Sequence, residues 1–203
     1  YSKPTNSSFN SLVDMTFKSS CTLVMHSFQD VKAAIRFAGS GCYFLKLDLQ
    51  DAYKYLKVKS SQLPAQQFSF AGNYFVDTSL VFGDVSAVHQ FSFIHYVLSD
   101  ALSLPFASIP ENLSLLVIDD KVVFCQENRV QLLWQFYYRY SWVLQTIGFK
   151  LQETSTTLMK SFLPSQQGLV FGVWIDSRTC CWSLPPRKLA LLIEFMEVLH
   201  HVC

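Results

Sequence analysis

Apolar and polar positions recur with two different periods along this chain, and the switches between them set out its elements. From Phe28 to Phe37 the residues Val31, Ala34 and Ile35 fall at helical spacing, and Gly39 and Gly41 follow as stop signals. Cys42 to Leu49 is a short, mostly apolar run that predicts a strand, and Asp51 to Tyr55 predicts a short helix. Phe68 to Val76 carries aromatic and β-branched residues around Ala71-Gly72-Asn73, which predicts a hairpin. Val85 to Leu104 has a helical apolar pattern that Pro105 ends. Leu113 to Phe124 is apolar on both sides of Asp119-Asp120, the pattern of two short strands joined by an acidic turn. Val130 to Ile147 reads as a long amphipathic helix closed by Gly148. Val170 to Ile175 reads as one further strand, and Leu189 to Val198 as a last helix after Pro185-Pro186. Residues 1–20, rich in Ser, Thr and Asn, read as loop.

Strands and helices alternate, but the turns between strands are tight. That favours antiparallel pairing, and so an α+β fold over a doubly wound parallel sheet. Composition agrees: half of the 203 residues are hydrophobic and only 15% are charged, enough apolar surface for a substantial core. The formal net charge of +1 is low for a complete nucleic-acid-binding unit, since each neutralised phosphate adds affinity. Basic elements outside this stretch of chain would reconcile the two.

Six cysteines, at 21, 42, 125, 180, 181 and 203, show no repeated spacing and no C-x-x-C pair. Cys180, Cys181, His200, His201 and Cys203 offer zinc ligands in principle; free thiols in a reducing compartment are the plainer reading. No apolar run reaches the ~18 residues of a membrane span, and there is no signal-peptide core. The start at Tyr1 without Met suggests a piece of a longer protein, with cytosol or nucleus as its expected location.

Two acidic features carry the candidate chemistry. Asp119 and Asp120 interrupt an apolar run, where two adjacent carboxylates are tolerable only at a solvated turn or beside a cation. Asp suits turn geometry, so a plain hairpin tip is one reading. Asp48 follows Tyr43-Phe44-Leu45 at a strand end, where it is either solvated or a cap for the segment after it. Brought together, a strand-end acid and an acidic hairpin could instead hold two divalent cations ~3.5–4 Å apart, an arrangement suited to phosphoryl transfer.

The string Leu47-Asp48-Leu49-Gln50-Asp51-Ala52-Tyr53 resembles the first catalytic motif of retroelement and retroviral reverse transcriptases. Val117-Ile118-Asp119-Asp120 resembles their Y-x-D-D hairpin, and Asn73 to Gly83 the run into L-P-F-G. Ser86 to Phe91 stands where the family has S-x-P-x-x-F. Ile147 to Leu151 resembles the glycine-containing turn after the palm helix. Pro164-Ser165-Gln166 with Val170 to Asp176 resembles the P-S-Q … F-L-G-x-x-I-D hairpin, and Leu184 to Leu189 the L-P-x-x-K-L segment. The matches run in order from about residue 28 to 192, and their flavour is that of LTR-type and DIRS-type retrotransposon enzymes.

The resemblance implies an RNA-directed DNA polymerase palm, an antiparallel sheet backed by the helices at 85–104 and 130–147. Residues 1–40 would be partial fingers, 41–177 the palm with a fingers hairpin inserted around 62–78, and 178–203 the start of the connection or thumb. It also implies two Mg²⁺ or Mn²⁺ ions, held by Asp48 and Asp119 with Asp120 beside them and the Leu49 carbonyl completing one shell. Asp51 and Ala52 would offer amides to the triphosphate, Tyr53 would exclude a ribose 2′-hydroxyl, and Phe82 and Gly83 would pack near nucleotide and template. Lys150 or Lys160 would face the pyrophosphate. The implied partners are an RNA or DNA template-primer and deoxynucleoside triphosphates, with no membrane, and thumb and ribonuclease H parts elsewhere in a longer polyprotein. On the residues alone, Tyr53 also reads as an ordinary core aromatic, Gly83 as a turn glycine, and both lysines as solvated.

Departures from the family pattern concern function. Val81, Val88 and Val117 replace the prolines of L-P-F-G and S-x-P and the Tyr of Y-x-D-D, Lys121 follows the acids, and Asp84 adds a carboxylate. Phe171-Gly172 lacks the intervening Leu, and the segment from Leu151 to Pro164 is a few residues long for the pattern. Lost prolines loosen a pre-set backbone. A degenerate, inactive relative that binds nucleic acid or protein is therefore the competing reading, and a different Asp-dependent phosphoryl transferase the third.

Overall fold

The computed structural model describes residues 25–103, 110, 113–152 and 160–202. The expected loop at 1–20, the stop at Pro105, residues 153–159 of the Leu151–Pro164 segment, Cys21, Cys203 and the side chains of His200 and His201 lie outside the described residues.

In chain order the elements are helix α1 (Phe28–Ala38), strand β1 (Tyr43–Asp48), 3₁₀ turns at Ala52–Tyr55 and Ser60–Gln66, and the hairpin β2 (Gln67–Phe70) and β3 (Asn73–Val76). Helix α2 (Val85–Ser103), the hairpin β4 (Ser114–Val117) and β5 (Asp120–Cys125), and helix α3 (Val130–Thr146) follow. The chain continues through β6 (Phe162–Ser165), β7 (Gln167–Val170), β8 (Val173–Asp176), β9 (Cys181–Ser183) and α4 (Pro186–Val202). The main sheet has the order β4-β5-β1-β6 with every pair antiparallel, as the tight turns predict.

Side chains alternate across a strand, so each central strand feeds two cores. Leu45 and Leu47 of β1, with Val123 and Cys125 of β5, face α2 and α3, which supply Phe91, Leu133, Phe136, Tyr140 and Leu144. Phe44, Val122 and Phe124 face the other way, onto Val31, Ala34 and Ala38 of α1 and onto Val170 and Ile175. The two expected helices thus back one face, and α1 covers part of the second. Strands apolar on both sides need cover on both.

Four elements differ from the expectation drawn from the sequence. Val170 to Ile175 is two strands, not one: β7 and β8 pair antiparallel through a turn at Phe171-Gly172, with φ of 47° and 80°. Neither β6 nor the short β9 is legible in the apolar pattern. β6 contains Pro164 and carries an extra residue against β1, the kind of irregular edge where proline is tolerated. The last helix begins three residues earlier than expected, with Pro186 at its first position, where a missing N–H is harmless.

At Gly168 a Cβ would meet the Phe162 ring at 2.5 Å, and that ring packs edge-on against Phe44 at 5.6 Å. Gly168→Ala is therefore expected to lower the thermal midpoint by roughly 3–10 °C, the effect of overpacking in a domain of this size. An unchanged melting curve would show that the β6–β7 corner is looser than this packing implies.

Candidate metal centre

β1 and β5 run antiparallel in a register that sets Asp48 opposite Asp120. Strand parity turns Lys46 and Asp48 to the same side as Phe44, and Asp120 to the same side as Val122 and Phe124. The acids therefore lie on the sheet face opposite α2 and α3. Asp119 belongs to the two-residue loop between β4 and β5, and one carboxylate oxygen from each of Asp48, Asp119 and Asp120 lies within 4.8 Å of the other two. Three acids separated by about seventy positions in sequence thus meet at one point.

The surroundings make the charge costly to keep. Asp48 is 8% exposed, and burial followed by the charge of Asp119 raises its carboxyl above the ordinary range, with Lys160 and Lys46 working against the shift. Burial likewise pushes Asp120 up to about 6, against the ammonium of Lys46 at 3.0 Å. Lys160 is exposed and stands 3.9 Å from an Asp48 oxygen. The buried Ser161 hydroxyl accepts a bond from the Asp48 amide at 3.0 Å, fixing the strand end. Crowded, partly desolvated carboxylates whose oxygens share one small volume fit a hard divalent cation better than they fit one another.

The loop that carries Asp119 is strained. Ile118 has φ of 53° while Asp119 does not share the positive sign, the pattern of a turn whose first position usually holds glycine. A β-branched residue there costs on the order of 1–3 kcal/mol, tolerated only where its surroundings hold it.

The remaining candidate residues divide. Asp51 takes the left-handed conformation (φ 50°) at the start of the 3₁₀ turn, which sends Ala52 and Tyr53 inward, both buried. Tyr53 lies edge-on to Phe82 at 4.8 Å and Phe91 at 5.4 Å; burial and then the charge of Asp119 raise its hydroxyl pKa. Phe82 is 74% exposed, beside Gly83 at φ 89°. The bonds flanking the Leu49–Leu151 bridge use the Asp48 carbonyl and the Gln50 amide, not the Leu49 carbonyl. Lys160 reaches the acids; Lys150 lines a separate groove with Gln50, Tyr137 and Gln145, and its amide donates to the Tyr55 hydroxyl. Asp84, a departure from the family pattern, serves the fold, since its carboxylate accepts the Ser86 amide at 2.8 Å and caps α2.

The sequence reading does not single out Lys46, although it is the site's closest cation. A signal for it exists: a lysine two residues before Asp48 shares its strand face. Ser161 carries no sequence signal of that kind.

No protein-family model and no curated protein matches this sequence. Solved structures do. The foamy viral protease-reverse transcriptase in complex with RNA/DNA hybrid superposes with a TM-score of 0.57 at 18% identity, over 71% of this chain and 17% of that one. The foamy viral protease-reverse transcriptase dRH in complex with double-stranded DNA gives 0.60 at 15%, over 82% and 25%. The native prototype foamy virus protease-reverse transcriptase gives 0.58 at 13%, over 91% and 22%. The chain has a reverse-transcriptase-like α+β fold with a palm-like sheet, and it spans a quarter or less of the length of these three proteins.

Proposed function

We propose that the chain is the polymerising core of an RNA-directed DNA polymerase, a nucleotidyltransferase that extends a primer 3′-hydroxyl with deoxynucleotides. The observation that carries this reading is the meeting of Asp48, Asp119 and Asp120 within 4.8 Å on a reverse-transcriptase-like sheet. The all-oxygen donor set suits Mg²⁺ or Mn²⁺. Asp48 and Asp119 would hold both ions, with Asp120 beside them and the Leu49 carbonyl completing one shell. Two such ions, when bound, activate the attacking hydroxyl and offset charge on the departing pyrophosphate.

The chain's own groups do the positioning. Asp51 and Ala52 would present backbone amides to the triphosphate at the 3₁₀ turn. Tyr53, braced by Phe82 and Phe91, would underlie the sugar and exclude a 2′-hydroxyl. Phe82, exposed beside Gly83, would meet nucleotide and template. Lys160 is better situated than Lys150 to face the pyrophosphate, given its 3.9 Å approach to Asp48. Residues 41–177 would be the palm with its inserted fingers hairpin around 62–78, 1–40 partial fingers, and 178–203 the start of the connection or thumb. The ordered motifs favour an LTR-type or DIRS-type retrotransposon lineage, with thumb and ribonuclease H parts elsewhere in a longer polyprotein. Action on RNA or DNA in the cytosol or nucleus fits this reading. Among the described residues no helix is long and apolar enough to cross a membrane.

Two observations favour a second reading, an inactive reverse-transcriptase-like scaffold. Lys46 already neutralises Asp120, and the net charge of +1 gives little general attraction for phosphate. Primer extension on poly(rA)/oligo(dT) with Mg²⁺ or Mn²⁺ separates the two. Templated incorporation that disappears in Asp119→Asn supports the polymerase. A folded chain that, within its full-length polyprotein, binds template-primer and incorporates nothing supports the scaffold, and equal incorporation by the variant overturns the assignment of the site.

A further inference from the structure

The acids face away from α2 and α3, yet the loop carrying Asp119 is gripped from that far side. His95 of α2 is 1% exposed; its Nδ1 lies 2.6 Å from the Ile118 carbonyl oxygen and its Nε2 2.5 Å from the hydroxyl of Tyr140, itself buried on α3. A carbonyl can only accept, so Nδ1 carries the ring proton and Nε2 is left as an acceptor for the Tyr140 hydroxyl. Burial holds the His95 pKa at about 4 and raises that of Tyr140, which keeps the ring neutral and the phenol protonated. The chain of bonds therefore runs one way, from Tyr140 through His95 to Ile118.

One helical turn further along α2, Ser99 accepts a bond from the ammonium of Lys121, a side chain 2% exposed that points to the helix side because Asp120 points to the other. The residue before Asp119 and the residue after Asp120 are thus both tied to one stripe of α2. Ile118 is the strained position of the loop, and a strained turn persists only where something holds it.

We propose that His95, oriented by Tyr140, is a positioning residue that fixes the Ile118 turn from behind the sheet and so sets the carboxylate of Asp119 against Asp48. This role rests on the metal-site reading above. It touches neither ion nor substrate; it acts through the backbone of the loop.

The test compares the full chain with His95→Phe, His95→Gln and Tyr140→Phe. Two readouts are taken: Mn²⁺ affinity at pH 7.5 by paramagnetic resonance of the free ion, and amide hydrogen exchange across residues 113–125. Phe keeps the bulk and loses both bonds. Gln offers an NH₂ donor and a carbonyl acceptor in place of the two ring nitrogens. His95→Phe is expected to weaken Mn²⁺ binding roughly 10–100-fold, the scale for residues that orient a metal ligand, and to speed exchange in the loop. His95→Gln should recover most of both, and Tyr140→Phe should fall between. Should His95→Phe not fold, the Gln and Tyr140 variants carry the comparison. Wild-type Mn²⁺ affinity in a folded His95→Phe or Tyr140→Phe chain overturns the positioning role and leaves the metal site standing. Failure of the unsubstituted chain to bind Mn²⁺ overturns the metal site and the role built on it.

Discussion

Asp48→Asn is expected to lower templated incorporation by at least ~10³-fold, the scale of losing several kcal/mol of charge stabilisation at a two-ion site. The same change should raise the melting temperature of the metal-free chain. The two signs come from one cause. Burial and the neighbouring Asp119 raise the Asp48 carboxyl, so folding disfavours its charge, and a neutral amide of similar shape removes that penalty. The ion pair it gives up, with exposed Lys160 at 3.9 Å, is long and solvated and contributes little. Primer extension and thermal denaturation in EDTA on the same preparation check both halves. A loss of activity with a matching loss of stability would mark Asp48 as a structural residue instead.

The second large effect is a dependence on pH that divalent ions should reverse. Asp120 sits at about 6 in the folded chain against an ordinary 3.8, so between those values the folded state holds more protons than the unfolded one. Its contribution is therefore most favourable below about pH 4 and falls as pH rises to about 6, by an amount on the order of 3 kcal/mol for about two units. Asp48, also raised, adds in the same direction. At Asp77 burial raises the carboxyl, but the bonds from Lys54 and the Ser79 amide, with the charges of Lys54 and Lys57, together outweigh it, so the net shift is downward and this group works oppositely, losing stability as pH falls. The clean quantity is the difference between wild type and Asp120→Asn in EDTA, which should shrink towards low pH and level off above about 6. Mn²⁺ at about a hundredfold over its dissociation constant should add close to 3 kcal/mol above pH 7 and much less at pH 5, where protons compete. A pH-independent difference between the two proteins would remove the basis for this account of the site's electrostatics.

Much of the architecture was legible because its elements are strongly periodic. β1 and β5 are central and buried on both faces, so they appear as continuous apolar runs, and α3 carries a long one-sided stripe ending at Gly148. Asp48, Asp119 and Asp120 stood out because carboxylates beside such runs demand a reason. What was not legible depends on partners distant in the chain. β6 is held as an edge strand by pairing with β1, although Pro164 weakens its own signal. Phe171 and Gly172 form a turn that Phe does not advertise, since Phe is not a usual residue at positive φ. His95 looks like any histidine in an apolar helix; only the approach of the hairpin on one side and α3 on the other gives it a role. Lys46 lay within reach of a strand-parity argument, but its partner Asp120 comes from another strand.

Anomalous diffraction from crystals of the chain grown with Mn²⁺ would test the meeting of the acids most directly. The expected result is two peaks roughly 3.5–4 Å apart, both bound by Asp48 and Asp119 with Asp120 alongside. Crystals with no peak among the three carboxylates, and with the Lys46 and Lys160 ammonium groups still paired to Asp120 and Asp48, would contradict it.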